Sequence, residues 1–128
     1  MTKKEIIAPG NVHKSMGYAH AVKVGNTVYV AGQAAVDLDG NIIGIGDFSA
    51  QVAQTFENMK RVLEASGANL GNVVKTTAYF TNLDALPIWV DVRKKYLDSY
   101  TVAGTVVEIS RLAFPEMLIE VDAIAVID

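Results

Sequence analysis

Near the end of the chain, charged and apolar residues alternate at period two, first over residues 104–112 and again over 118–127, on either side of a break at Ala113 to Pro115. Both segments are rich in β-branched residues, so they predict a half-buried pair of strands. Earlier, residues 5–8 predict a short strand ended by Pro9-Gly10, and residues 18–24 and 27–31 alternate on either side of Gly25-Asn26, a two-residue hairpin signal. Asp39-Gly40 marks a further turn before a short strand at 41–45, and residues 73–80 are dense in Val, Thr and aromatic side chains. Between these segments the period changes to that of a helix. Asp47 stands where an N-cap belongs, and Phe48, Val52, Phe56, Met59 and Leu63 recur at spacings of three and four until Gly67. This predicts a helix of about five turns with Gln51, Gln54, Asn58 and Arg61 on its polar face. A second helix is predicted from an Asp84 cap, with Pro87 in its first turn. Its apolar stripe is Leu86, Trp89, Val90, Tyr96, Leu97 and Tyr100, and Arg93 falls inside that stripe.

The order strand, hairpin, helix, strand, helix and two strands gives an α+β fold: a mixed sheet with both helices packed on one face, in a single domain over residues 1–128. The other face would then need cover from further copies of the chain. Composition strengthens that expectation, because 51% of residues are apolar and only 20% charged. A formal charge of −3 without a clustered basic stripe speaks against nucleic acid as a partner. The lack of cysteine excludes disulfides and thiolate chemistry. Without an apolar leader or a bilayer-length apolar run, a cytoplasmic protein with no membrane partner is expected.

Glu120 is the first candidate for chemistry. It stands in an apolar strand with Asp122 on the same face, since residues two apart point the same way. A carboxylate so placed is either paired, for example with Arg111, or put to chemical use. Tyr18 can orient a substrate or simply pack at a strand start, and His20 on its face can move protons or serve structure. His13 and His20 lack metal-site spacing with any acidic residue, so no metal is expected. Gly32 leaves room for the close approach of a ligand or another backbone.

The stretches Tyr18-Ala19-His20-Ala21-Val22, Val30-Ala31-Gly32-Gln33, Val74-Lys75-Thr76-Thr77, Val107-Glu108-Ile109-Ser110-Arg111-Leu112 and Ile119-Glu120-Val121-Asp122-Ala123-Ile124-Ala125-Val126 together resemble the reactive-intermediate deaminase family, RidA or YjgF-like. The likeness runs in order over nearly the whole chain, offset by about one residue before Pro115. It implies the YjgF-like, chorismate-mutase-like fold and a homotrimer whose sheets form a central barrel with clefts between subunits. It also implies hydrolysis of enamines or imines to a carbonyl compound and ammonia, without a metal or organic cofactor. By position, Glu120 matches the carboxylate that orients the attacking water, Tyr18 the tyrosine of the cleft, and Gly32 the glycine bordering the ligand. Ala31, Val90, Arg93, Gly104, Thr105 and Val106 are the remaining candidate substrate-binding positions.

Two positions depart from the deaminase pattern. Gly104 stands where those enzymes carry an arginine that clamps the substrate carboxylate, and Val90 where they carry an asparagine. Losing that clamp should weaken binding of a 2-imino acid about tenfold to a hundredfold. A substrate other than 2-aminoacrylate, bulkier or less anionic, is therefore expected. Arg93, one turn from Val90, either enters the cleft in place of the clamp or covers apolar surface with its stem. Three functions follow: an imine deaminase, a trimeric small-molecule binding or regulatory protein without fast chemistry, and an RNA-cleaving protein, which the acidic balance disfavours.

Overall fold

The computed structural model describes residues 3–128. Six strands form one mixed sheet: β1 (Lys4–Ile7), β2 (Ala21–Val24), β3 (Thr27–Gln33), β4 (Val73–Phe80), β5 (Ala103–Glu108) and β6 (Ile119–Val126). Their spatial order is β1-β2-β3-β6-β4-β5. All pairings are antiparallel except β4 with β5, which run parallel. The two terminal strands are thus not partners, because β4 lies between them. The fold is the expected α+β sheet with helices α1 (Phe48–Ala65) and α2 (Leu86–Arg93) packed on it.

The alternation along β6 sets the two faces. Ile119, Val121, Ala123 and Ala125 are buried toward the helices, whereas Glu120, Asp122, Ile124 and Val126 point away and stay half-exposed. Under the helices, Val28, Val30, Ala78 and Phe80 complete the sheet side of the core, opposite Val52, Phe56, Met59 and Leu63 of α1. Trp89 of α2 stacks on Phe56 at 5.5 Å and meets Phe80 edge-on at 5.7 Å, locking the second helix to the first.

Asp47 does cap α1, accepting a hydrogen bond from the Ala50 amide, and Gly67 leaves the helix with φ +81°. The hairpin between β2 and β3 joins Val24 to Thr27 through Gly25-Asn26, with Gly25 alone at positive φ, as a type II′ turn needs.

Several local expectations are corrected. Gln51 and Asn58 do not belong to a solvated helix face: both are fully buried, because loops pack over that side of α1. The cap before α2 is Asn82 rather than Asp84: a short 3-10 turn, Leu83–Ala85, precedes the helix, and the Asn82 side chain accepts from the Asp84 amide. The stripe on α2 is narrower than predicted. Trp89 and Leu97 are buried, but Leu86, Val90 and Tyr100 are exposed, and α2 ends at Arg93, short of Tyr100. Residues 18–20 form bends rather than the start of β2, and the strand predicted at 41–45 is reduced to one bridge between Val36 and Ile42. β5 is an edge strand, exposed along most of its length.

Candidate active site

β6 carries Glu120 onto the face away from the helices, beside Tyr79 of β4 in register. On its other side β3 departs from regular pairing between Val30 and Gln33. That irregularity brings Gly32 against the carboxylate. A Cβ built on Gly32 would lie 1.8 Å from Glu120 Oε1 and 2.9 Å from its Cγ, so the glycine is the seat of the acid and any side chain there would evict it.

Around this seat lies a cleft of about 450 Å³. Tyr18, Ala31, Gly32 and Glu120 all line it, so four of the candidate residues converge. The rest of the wall is mostly apolar, from Met16, Ile42, Phe114 and Met117, with His13 and Lys14 at the polar side. The cleft walls are held by the two helix amides that the hydrophobic pattern misplaces. Asn58 Nδ2 donates to the carbonyls of Ala34 (3.0 Å) and Val36 (2.8 Å). Gln51 Nε2 donates to the carbonyls of Gly44 (3.2 Å) and Glu116 (2.9 Å), while its Oε1 accepts from the Leu118 amide (2.9 Å). Ala34, Val36 and Met117 form a small apolar cluster that lines the cleft.

Glu120 makes no ion pair among the described residues; the expected alternative partner, Arg111, is not bound to it. Burial holds its carboxyl above the usual carboxylate range, and the like charge of Asp122 pushes the same way. Asp122 itself accepts a hydrogen bond from the Tyr79 hydroxyl at 3.1 Å. Burial and the Glu120 charge together raise the Tyr18 phenol, which therefore stays a neutral donor.

His20 is structural. Its Nε2 lies 2.8 Å from the His13 carbonyl, which can only accept, so Nε2 carries the proton and Nδ1 takes the Gln33 amide at 3.3 Å. With both nitrogens engaged and only 3% of the residue exposed, it has no free atom for proton transfer. His13, packed edge-on to His20 at 4.8 Å, has its pKa lowered by burial, opposed by its contact with the Lys14 carbonyl. Among the described residues no three His, Asp or Glu side chains converge to hold a metal ion.

The remaining candidates lie elsewhere. Arg93, Gly104, Thr105 and Val106 share a second cavity of about 430 Å³ at the β5 edge. Val90 lines neither cavity and is 42% exposed on α2. Sequence reasoning did not single out Met16, Lys14, Ile42, Phe114 and Met117, which sit in loops where no period exists to mark them.

The family described as Endoribonuclease L-PSP matches residues 10–127. A RutC family protein of Pyrococcus abyssi is 39% identical over 123 residues, covering 95% of this chain and 96% of its own. A 2-iminobutanoate/2-iminopropanoate deaminase of Dermatophagoides farinae is 35% identical over the full length of both chains, 100% of each. Among solved structures, RidA from an Antarctic Psychrobacter superposes with a TM-score of 0.89 at 32% identity, over 96% of this chain and 99% of that one.

Proposed function

The chain belongs to the endoribonuclease L-PSP (YjgF-like) family, and from that premise we propose that it is a cofactor-independent enamine/imine deaminase with Glu120 as its base. One observation carries this reading: an unpaired, half-buried carboxylate with a raised pKa, seated on a glycine in the wall of an apolar cleft. Such a group is a stronger base toward water than an ordinary exposed carboxylate.

The chemistry needs only the substrate and one water. Glu120 accepts a proton from water as the oxygen attacks the C=N carbon, and that proton passes to the nitrogen, giving a carbinolamine. A second transfer carries the hydroxyl proton to the amino nitrogen as the C–N bond breaks and the C=O bond forms, leaving a carbonyl compound and ammonia. An enamine first gains a proton at carbon and gives one up from nitrogen to become the imine. The Tyr18 hydroxyl orients the substrate from the mouth of the cleft, and the backbone of Ala31 and Gly32 borders it. Phe114, Met117 and Ile42 make room for a side chain larger than that of 2-aminoacrylate.

In one chain the two groups of candidate residues occupy separate cavities, so the reading includes a homotrimer in which the β5 edge and α2 of one copy face the Glu120 cleft of the next. The open face of the sheet supports self-association. Ile6, Val22, Tyr29 and Ile124 align across four strands on that face, with Ile6 59% and Tyr29 51% exposed. No helix among the described residues is long and apolar enough to cross a membrane, and a cysteine-free chain suits the cytoplasm.

Gly104 and Val90 favour a second reading, a trimeric binding or regulatory protein that keeps the cleft without fast turnover. The acidic balance makes a small molecule, not RNA, the preferred ligand in both. The two separate when imines are generated in situ from several amino acids by an oxidase and ammonia release is followed with and without the protein. Acceleration with an apolar amino acid is expected; none with any of them would leave only the binding role.

A further inference from the structure

The second cavity holds an unusual pair of donors. Arg93 Nε and Trp89 Nε1 are both buried and have no hydrogen-bond partner among the described residues, and both residues line that cavity. Neither group can accept, so each calls for an acceptor that the described residues do not provide. Arg93 also lacks a counter-ion, because no carboxylate forms a salt bridge with it among the described residues. Its guanidinium is held in place over the Trp89 ring, with Cζ 5.7 Å from the centroid. A fixed, partly desolvated guanidinium without an anion, next to a second bare N–H, is a site prepared for an acceptor-rich negative group.

The rest of the cavity suits a small one. Thr76 and Thr105 bring hydroxyls to its wall, and Gly104 contributes no side chain. A Cβ at Gly104 would meet only Thr76 Oγ1, at an ordinary 3.7 Å, so the glycine leaves space instead of relieving a clash.

We propose that this cavity is a carboxylate-binding subsite in which Arg93, from α2, and the indole N–H of Trp89 hold the carboxylate of the substrate. The substrate class is then the 2-imino carboxylates with apolar side chains, imines of amino acids, and Gly104 no longer implies a less anionic ligand. The catalytic consequence rests on the deaminase reading; the binding consequence does not.

Titration calorimetry with the keto acid derived from leucine, and with isobutyl methyl ketone as neutral control, tests the binding directly. Arg93→Gln should weaken the keto acid about tenfold and leave the ketone unchanged, with Arg93→Lys recovering part of the loss. Trp89→Phe should weaken the keto acid by less. In turnover of the leucine-derived imine, Arg93→Gln should raise KM with kcat held within about twofold. Keto-acid affinity unchanged by Arg93→Gln, or both ligands weakened alike, would overturn the subsite. If keto-acid binding depends on Arg93 while no imine is hydrolysed, the subsite stands and the deaminase reading falls. If imines are hydrolysed with an unaltered KM in Arg93→Gln, the deaminase reading stands and the subsite falls.

Discussion

At the scale of the residue, the behaviour of Glu120 follows from two causes. Burial removes water, and Asp122 adds a like charge on the same face. The acid limb of the rate profile should therefore lie above the ordinary glutamate range, and Asp122→Asn should move it to lower pH; a limb that stays fixed in that variant would separate Asp122 from the base. The same shift bears on stability. Below the ordinary glutamate range the acid is neutral both folded and unfolded and costs nothing; as pH rises through the raised folded value, its ionisation destabilises the native state. Glu120→Gln is thus expected to melt higher than the parent at neutral pH and to lose that advantage in acid, which thermal scans across pH will reveal. Gly32→Ala drives a methyl into the carboxylate, and misplacing a base by about 1 Å costs roughly a hundredfold in rate. Activity of Gly32→Ala near the parental level would show that the seat is dispensable. Both residues were legible in the sequence, Glu120 from period-two alternation and Gly32 from a missing side chain inside a strand. Their contact was not, since it depends on the irregular pairing between Val30 and Gln33.

At the scale of the element, α1 is both core and scaffold. Its apolar positions were readable from spacing, and so were its first and last turns. Gln51 and Asn58 were misread because polarity alone cannot separate an amide that meets water from one that meets a loop carbonyl; the loops at 34–44 and 116–118 cover them only once the sheet has formed. Removing the Asn58 amide takes the side-chain donor from the Val36 carbonyl and leaves the Ala34 carbonyl with the Val36 amide alone, and one buried unsatisfied carbonyl costs about 1–3 kcal/mol. Asn58→Ala should accordingly lower stability by about that amount and speed amide exchange over residues 34–44, while Lys60→Ala, on the exposed side of the helix, should do neither. Equal exchange in the two variants would deny α1 its role in holding the cleft. Tyr18 and His20 show the same limit: they do neighbour each other, with rings 5.9 Å apart, but through a bend held by hydrogen bonds and not through a shared strand face.

At the scale of the whole molecule, alternation in β6 assigns one face of the sheet to the helices and leaves the other bare. An apolar row across that face, an exposed edge strand and candidate residues divided between two cavities are the observations on which the proposed self-association rests. Sedimentation should give about three times the chain mass, and Tyr29→Glu, which sets a charge into the row, should lower both assembly and imine turnover without unfolding the chain. A fully active monomer would remove the shared cleft. The family resemblance supplied the expectation of a trimer, whereas single-chain periodicity supplied only the bare face. The measurement that bears most directly on the whole account is kcat/KM for hydrolysis of an apolar 2-imino acid by Glu120→Gln against the parent. Loss of a positioned general base predicts a fall of about 10² to 10⁴, with the fold and ligand affinity retained; a Glu120→Gln protein that hydrolyses the imine at the parental rate would contradict it.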